Sequence, residues 1–149
     1  MYPRAYKIEG YEPPTELEGP LAMCFKEFSK IDGLPRFSSR IIKKGDFITK
    51  PFISHFWAAG FSFSYGTLVR DCGYTDEVDD VFFGEELYLM YKFFMHGYQL
   101  YAPPKTLAYH LWERAYRKTY KEDHSKDESK RERQLKCLEH IKQTVLSDS

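Results

Sequence analysis

The stretch VFFGEELYLMYKFFMHG, residues 81–97, joins an apolar helical pattern to two adjacent carboxylates near its start. Its apolar side chains recur at the i, i+3, i+4 and i+7 spacing of one helical face; they are Leu87, Met90, Tyr91 and Phe94. Directly after this pattern, His96 and Gly97 provide the glycine stop that ends many helices. The stretch therefore predicts an amphipathic helix that packs one face on a core.

The two carboxylates, Glu85 and Glu86, fall in the first turn of this predicted helix. The helix dipole stabilises a carboxylate there by about 0.3–1 kcal/mol, which accounts for one of them. Adjacent residues of a helix point about 100° apart, so both side chains cannot face bulk solvent equally well. We expect at least one to face the C-terminal edge of a sheet, where open α/β folds bind ligands. Both are candidate catalytic residues.

The composition limits the class of protein. The 149 residues suit one domain with a core of its own. The 22 Lys and Arg balance the 22 Asp and Glu, so no strong field favours nucleic acid or an anionic membrane. No run approaches the ~20 apolar residues of a membrane span, and the N-terminus lacks the apolar segment of a secretory signal. Three cysteines without CxxC spacing favour a reducing compartment, and we expect a cytoplasmic protein.

Aromatic residues make up 17% of the chain, with 12 Tyr and 12 Phe. They are most regular in WAAGFSFS, residues 57–64, where large apolar side chains alternate with small ones. This alternation predicts a strand with one large apolar face and one small polar face. The small face either leaves room for a ligand against the backbone or packs under a helix, and the aromatic residues either line a cleft or fill a core.

The remaining predicted elements are short. Predicted strands lie at Leu21–Phe28, which is apolar enough to be buried, from Ile41 onward, and at residues 98–102 and 106–112. A turn is predicted at Asp32-Gly33, and a short helix at residues 65–72. A charged run leads to a C-terminal helix, which we expect to dock on the domain through a weak apolar stripe formed by Leu135, Leu138, Ile141 and Val145.

His110 lies late in the last predicted strand, on the face opposite Leu107, Tyr109 and Leu111. A neutral imidazole suits Mn²⁺ when carboxylates complete the shell; the alternative is an ordinary core or edge residue. The acidic run at residues 76–80 superficially matches a DxD metal motif. We discount it, because no apolar strand precedes it.

Three segments occur in order along the chain: HFWAAGFSFSYGTLV at residues 55–69, FFGEELYLMYKFFMHGYQLYAPP at residues 82–104, and YHLWERAYRKTY at residues 109–120. Together they resemble the retaining N-acetylglucosaminyltransferases that include the cytosolic hydroxyproline-modifying enzyme of an F-box ligase subunit. The resemblance runs from about Tyr2 to the C-terminus and is densest between Phe52 and Tyr120. GEE alone occurs by chance in many proteins, but three motifs in the right order and spacing are far more specific.

The resemblance implies a GT-A glycosyltransferase fold of the α/β class, in which a Rossmann-like sheet with flanking helices binds a sugar nucleotide. The chain resembles the C-terminal, acceptor-side half of that fold. Residues 1–120 would belong to the GT-A domain, and residues 121–149 would form a charged segment and the C-terminal helix.

The resemblance also implies roles for residues. Glu85 and Glu86 would hold hydroxyls of the transferred sugar or contact the acceptor. The residues that would border the donor sugar and the acceptor are Trp57, Ala59, Gly60, Phe61, Ser62 and Gly84. The residues that would lie at the nucleotide diphosphate are the metal ligand His110 and its neighbours Trp112, Arg114 and Arg117.

The implied reaction moves N-acetylglucosamine from UDP-N-acetylglucosamine (UDP-GlcNAc) to a protein hydroxyl of the hydroxyproline, serine or threonine type, with retention. The expected partners are a sugar nucleotide and a protein or glycan acceptor. A divalent cation, Mn²⁺ or Mg²⁺, would neutralise the charge of the departing diphosphate, and a carboxylate would stabilise the oxocarbenium character of the sugar. The resemblance implies that the two carboxylates serve positioning more than proton transfer.

The chain departs from this family at its beginning. Family members start with a βαβ nucleotide-binding half that ends in a DxD-like metal motif, and this sequence starts just after the place of that motif. We therefore expect a truncated form that is inactive in isolation. Two alternatives stay open: a non-catalytic remnant of such an enzyme that binds a glycan or peptide, and an inert remnant.

Overall fold

The computed structural model describes residues 4–6, 19–42, 49–78, 81–111 and 127–146. The chain forms two compact units. The first unit comprises Met1–Glu27, Arg36–Phe63 and Gln99–Glu113, and the second unit comprises Phe28–Pro35, Ser64–Tyr98 and Arg114–Ser149. Each unit is therefore built from three separate segments. The division between residues 120 and 121 stays a prediction, because both residues lie outside the described ranges.

The described residues form a mixed set of short strands and helices. In chain order they are β1 (Arg4–Tyr6), β2 (Leu21–Phe28), β3 (Pro35–Ile41), β4 (Phe52–Ile53), α1 (Gly66–Cys72), the 3₁₀ helix Asp76–Val78, α2 (Glu85–Met95), β5 (Tyr101–Ala102), β6 (Tyr109–Leu111) and α3 (Glu128–Leu146). Within these residues β1 pairs in parallel with β6, β4 pairs antiparallel with β5, and β2 pairs with β3. The α/β class agrees with the prediction, and the GT-A sheet stays a prediction. None of the described helices is long and apolar enough to cross a bilayer.

A tight turn joins β2 to β3, as predicted at Asp32-Gly33. Gly33 has a φ of 73°, a conformation that glycine adopts without the strain of a side chain. The Asp32 carboxylate accepts a hydrogen bond from the Leu34 amide at 3.0 Å, and the Ser29 amide donates to the Leu34 carbonyl at 2.9 Å. The backbone groups of the turn are thus satisfied locally.

The predicted strands differ from the observed ones in burial and length. β2 is not a buried strand, since Phe28 is 61% exposed and the neighbouring Lys26 and Glu27 pair with each other in solvent at 3.2 Å. The next strand ends at Ile41 instead of beginning there. The strand predicted at residues 98–102 shortens to β5, because the Tyr98 amide donates a hydrogen bond to the Phe93 carbonyl at the end of α2. Of the strand predicted at residues 106–112, Tyr109–Leu111 forms β6 and residues 106–108 are not strand, whereas residue 112 lies outside the described residues.

Residues 57–64, predicted as an alternating strand, are not a strand. Nε1 of the Trp57 indole donates a hydrogen bond to Oγ of Ser62 at 3.0 Å. In an extended strand these residues would be about 16 Å apart, so the bond and the strand exclude each other. The predicted faces are also wrong, because Ala58 on the small face is 2% exposed, whereas Phe63 on the large face is 96% exposed.

The helix α2 begins and ends where its pattern predicts, but its buried face is broader than the predicted stripe. Phe93 is 2% exposed although the stripe omits it, whereas Phe94, which the stripe includes, is 41% exposed. The reason is that α2 packs against both α1 and α3, so its buried arc faces two neighbours. The other buried residues of α2 are Leu87, Tyr88, Leu89 and Met90.

The C-terminal helix α3 docks on the second unit as predicted, through Ile141 of the predicted stripe and also through Cys137, which the stripe omits. Asp127 caps the helix, since its Oδ1 accepts a hydrogen bond from the Lys130 amide at 3.2 Å. Ile141 is fully buried and Cys137 nearly so, whereas Leu135 of the predicted stripe is 59% exposed. A cysteine thus serves as a small apolar core residue.

Gly84 is the point at which three segments of the second unit meet. It precedes α2 with a φ of 115°. A Cβ at this position would lie 2.9 Å from Cδ1 of Leu34 and 3.0 Å from Cδ1 of Ile141, and both of these side chains are fully buried. The absence of a side chain therefore lets the turn after β2, the start of α2 and α3 approach one another.

We expect Gly84→Ala to destabilise the protein more than Gly33→Ala. A side chain is strained by the positive φ at both positions, at a cost of about 1–2 kcal/mol, but only at Gly84 would it also collide with packed side chains. Urea unfolding gives the free energies to compare. Gly66→Ala, in open space at the start of α1, is the control and should stay within about 0.5 kcal/mol of wild type. Equal losses at Gly84 and Gly33 would contradict the packing account.

Candidate functional site

Glu85 and Glu86 begin α2, as predicted, and both are half-buried. Glu85 lines an open pocket of about 250 Å³, which we call the Glu85 pocket, within the segment Ser64–Tyr98 of the second unit. The side chains of two buried valines form the apolar part of its wall, and one carboxylate and two hydroxyl groups form the polar part. The lining residues are Tyr74, Thr75, Val78, Val81 and Glu85.

Burial dominates the electrostatics of Glu85 in the Glu85 pocket. Burial raises the pKa of the Glu85 carboxyl above its usual 4.5, the hydroxyl of Tyr74 lowers it by donating a hydrogen bond, and the charge of Glu86 raises it. The pKa of the Tyr74 phenol is raised by burial and by Glu85. A carboxylate with a raised pKa thus lies in a partly apolar pocket that a phenol also lines, which is an arrangement that often marks functional sites.

The size of the Glu85 pocket limits what it can bind. Its volume of about 250 Å³ is below the roughly 300–1,000 Å³ of pockets for drug-sized ligands. One sugar ring or one amino-acid side chain fits this volume, and a whole sugar nucleotide does not. A carboxylate accepts hydrogen bonds from hydroxyl groups, so the pocket suits a hydroxylated group with one apolar face.

A polar network connects the 3₁₀ helix to α2 and α3. The Tyr88 hydroxyl donates a hydrogen bond to Oε2 of Glu77 at 2.7 Å, and Nε2 of His140 lies 3.4 Å from the Tyr88 hydroxyl oxygen and 3.8 Å from Glu77 Oε2. Burial and the bond to Glu77 raise the pKa of Tyr88 to about 12, so the phenol keeps its proton. Because Val78 of the same 3₁₀ helix lines the Glu85 pocket, this network helps to fix one wall of the pocket.

Sequence reasoning missed the residues that surround Glu85. Tyr74 and Thr75 lie in the loop between α1 and the 3₁₀ helix, and the polar Tyr-Thr pair is the signal that could have drawn attention to them. The sequence around Tyr88 and His140 contains no comparable signal that would place them near the site. They are separated by 52 positions, and they meet because α3 docks on α2.

The turn at residues 57–64 holds a second set of predicted site residues, in the first unit. The Trp57–Ser62 hydrogen bond closes this turn, and Ala59, Gly60 and Phe61 are exposed along it. The structure therefore groups these five residues, but on a turn instead of a strand. Their binding of substrate stays a prediction.

His110 lies on β6, opposite Ala5 of β1, and is half-buried. Within the described ranges no group of three His, Cys, Asp or Glu is placed to hold a metal ion, so His110 does not form a metal centre with described residues. Trp112, Arg114 and Arg117 lie outside the described residues. The structure shows that Gly84 allows Leu34 and Ile141 to pack against the start of α2. Its predicted contact with substrate stays a prediction.

Comparison with known proteins assigns the family. The profile of the glycosyltransferase (GlcNAc) family matches residues 1–148, and the chain belongs to this family of glycosyltransferases. No curated protein and no solved structure gives a match. The family implies a sugar donor, an acceptor, and transfer of N-acetylglucosamine, which confirms the resemblance at the level of the family.

We expect Glu85→Gln to stabilise the protein at pH 7. Because folding raises the pKa of Glu85, the stability linked to this group is fully present below its ordinary pKa of 4.5 and is lost as the pH rises through the raised pKa. Glutamine does not ionise and avoids this loss. The gain in the free energy of unfolding, measured in urea, should therefore be larger at pH 7 than at pH 4.

The matched control is Glu132→Gln, at an exposed position of α3, which should change stability little at either pH. A Glu85→Gln variant that is less stable than wild type at pH 7 would show that the carboxylate is not under electrostatic strain.

Proposed function

We propose that the protein transfers N-acetylglucosamine from UDP-GlcNAc to a hydroxyl group of a protein acceptor, of the hydroxyproline, serine or threonine type, with retention at the anomeric carbon. One observation carries the proposal. In a chain of the glycosyltransferase (GlcNAc) family, a half-buried carboxylate begins a helix and lines a pocket of the size of one sugar ring.

Glu85 and Glu86 are the catalytic residues of this proposal. The carboxylate of Glu85 accepts hydrogen bonds from hydroxyls of the sugar or the acceptor in the Glu85 pocket, and Glu86 contacts the neighbouring part of the substrate. A carboxylate beside the reacting sugar also stabilises the positive charge that develops on the ring as the leaving group departs. The half-burial of both residues supports the assignment, because a partly desolvated charge interacts more strongly with developing charge.

The other substrate contacts of the proposal come from the resemblance. Aromatic and small residues of the turn at 57–64 border the sugar and the acceptor, and Gly84 lies beside the catalytic pair. Basic residues after β6 bind the diphosphate. The residues concerned are Trp57, Ala59, Gly60, Phe61, Ser62, Gly84, Trp112, Arg114 and Arg117.

A divalent cation, Mn²⁺ or Mg²⁺, is part of the proposal, with His110 as the ligand from the described residues. Such an ion neutralises negative charge on a departing diphosphate. The described residues do not complete a metal shell around His110, so the resemblance alone supports the ion. The GT-A fold and a cytoplasmic setting are proposed in the same way, the latter supported by Cys24, Cys72 and Cys137, which form no disulfide with one another.

Release of UDP from UDP-GlcNAc by the full-length protein, with Mn²⁺ and a hydroxylated acceptor peptide, tests the proposal. We expect Glu85→Gln, Glu86→Gln and His110→Ala each to lower turnover at least about tenfold, because each removes a charge-assisted contact or a ligand. Glu132→Gln, on the exposed side of α3, should keep wild-type turnover.

Two outcomes would count against the proposal. Wild-type turnover in both glutamate variants would remove the assigned site. A folded protein that binds N-acetylglucosamine in the Glu85 pocket, yet shows no transfer or UDP release, would instead favour the alternative of a non-catalytic module that binds a glycan.

A further inference from the structure

We propose that Glu77 is a positioning residue that fixes the hydroxyl of Thr75 as a hydrogen-bond acceptor in the Glu85 pocket. The pocket then selects a ligand group that donates a hydrogen bond, such as a ring hydroxyl, over a group of similar size that only accepts. The inference rests on the proposed function, because that function supplies the hydroxylated ligand. Thr75 belongs to none of the motifs that the sequence singled out, and Glu77 lies in the acidic run that was discounted as a metal motif.

The hydrogen bond between Thr75 and Glu77 has one possible direction. Oγ1 of Thr75 donates to Oε2 of Glu77 at 3.2 Å. An ionised carboxylate only accepts hydrogen bonds, whereas a hydroxyl group has one proton and two acceptor lone pairs. The single proton of Thr75 is therefore committed to Glu77, and the hydroxyl keeps only acceptor capacity for a ligand in the pocket.

Glu77 is held in place, and in its ionised form, by residues of α2 and α3. The hydroxyl of the buried Tyr88 donates to the same Oε2 at 2.7 Å, and Nε2 of His140 lies 3.8 Å from it. The bond from Tyr88 lowers the pKa of Glu77 against the raising effect of burial, and the bond from Thr75 lowers it further. Thr75 thus meets a charged acceptor that is anchored from two sides.

The backbone of Thr75 is fixed as well. Its carbonyl accepts a hydrogen bond from the Val78 amide at 3.2 Å, across the 3₁₀ helix Asp76–Val78. Thr75, Val78 and Glu85 line the pocket together, and Tyr88 follows Glu85 by about one turn of α2. The Thr75 hydroxyl and the Glu85 carboxylate are therefore both positioned by α2.

The pocket in this way presents two acceptors beside an apolar wall. A ring hydroxyl donates to such an acceptor, whereas a fluorine atom in its place has no proton to donate. A threonine hydroxyl that turned freely would point its own proton at the fluorine, and the bond to Glu77 prevents this turn. A site built to pair with a ligand hydroxyl rejects an analogue that lacks it. The donor sugar and a hydroxylated acceptor residue share this chemistry.

Binding of fluorinated ligands to the full-length protein tests the inference. One series of probes is N-acetylglucosamine and its monofluoro deoxy analogues, and the other is a hydroxyproline peptide and its 4-fluoroproline counterpart. NMR titration gives each Kd. At one position we expect wild type to bind the fluorinated probe at least about tenfold more weakly than its hydroxylated parent. The series in which this occurs identifies the ligand as the sugar or the acceptor.

Two variants should abolish this preference. Thr75→Val keeps the shape of the side chain without the hydroxyl, and Glu77→Met keeps the length without the carboxylate, so that the Thr75 hydroxyl turns freely. In both, the penalty for fluorine at that position should fall below about threefold, with the fold checked by circular dichroism. Asp76→Asn, which removes a charge at an exposed position of the same 3₁₀ helix, is the control and should keep the wild-type ratio.

The ratio of the two affinities separates positioning from a merely structural role. A structural role would weaken hydroxylated and fluorinated probes by the same factor, and that result would overturn the inference. A fluorine penalty that persists in Thr75→Val, or one that is absent from wild type, would overturn it too.

Two further provisions keep the test decisive. The double variant Glu77→Met, Tyr88→Phe replaces Glu77→Met if the latter does not fold, because it leaves no buried phenol hydroxyl without its acceptor. The affinities are measured without turnover. Absence of UDP-GlcNAc turnover in wild type would therefore defeat the proposed function and leave the binding ratios to decide on Thr75 and Glu77.

Discussion

The second unit depends on how closely Leu34 and Ile141 approach the backbone at Gly84. A Cβ at Gly84 would lie 2.9 Å from Cδ1 of Leu34 and 3.0 Å from Cδ1 of Ile141, so the turn after β2 and the helix α3 pack directly against the residue before α2. Interiors of proteins are packed as densely as organic crystals, and such a contact leaves little freedom to the residue that follows. Glu85 is that residue, and its position is therefore set by the core of the unit and not by a loose loop.

A carboxylate placed in this way has an energetic cost. Burial and Glu86 both disfavour the charge of Glu85, and a core under no functional constraint would carry an uncharged residue there. Proteins commonly retain such locally unfavourable groups where binding or chemistry needs them. Part of the cost is offset by Tyr74, which lowers the pKa of Glu85, and by the dipole at the start of α2.

Local patterns predicted those elements whose structure is decided locally. The bounds of α2 follow from helical periodicity and Gly97, and the turn at Asp32-Gly33 follows from residues that satisfy their own backbone groups. The burial of Phe93 in place of Phe94 could not be predicted from the periodicity, because it depends on which helices pack beside α2. The strand predicted at residues 57–64 was wrong, since the Trp57 indole and the Ser62 hydroxyl meet across a turn that the alternation of large and small residues did not indicate.

In the candidate site, too, some features could be predicted from local sequence and others depend on tertiary packing. Glu85 and Glu86 stood out in the sequence because a charged pair interrupts an apolar run. The residues around them did not stand out in the sequence. Tyr74 lies in a preceding loop, and His140, which helps to support the wall of the pocket, reaches Tyr88 only because α3 docks on α2. Local sequence thus identified the charged groups, and tertiary contacts determine the environment that gives them their properties.

The packing of Leu34 and Ile141 on one glycine also has a consequence for biosynthesis. These residues are far apart in the chain, and the hairpin tip leaves the ribosome well before α3 has been translated. Until α3 emerges, Ile141 cannot cover Leu34. The contact between Tyr88 and His140, which are 52 positions apart, also cannot form until then, and its formation costs loop-closure entropy. The second unit therefore completes its core only after α3 is made, and until then the nascent chain exposes apolar surface that is prone to aggregation.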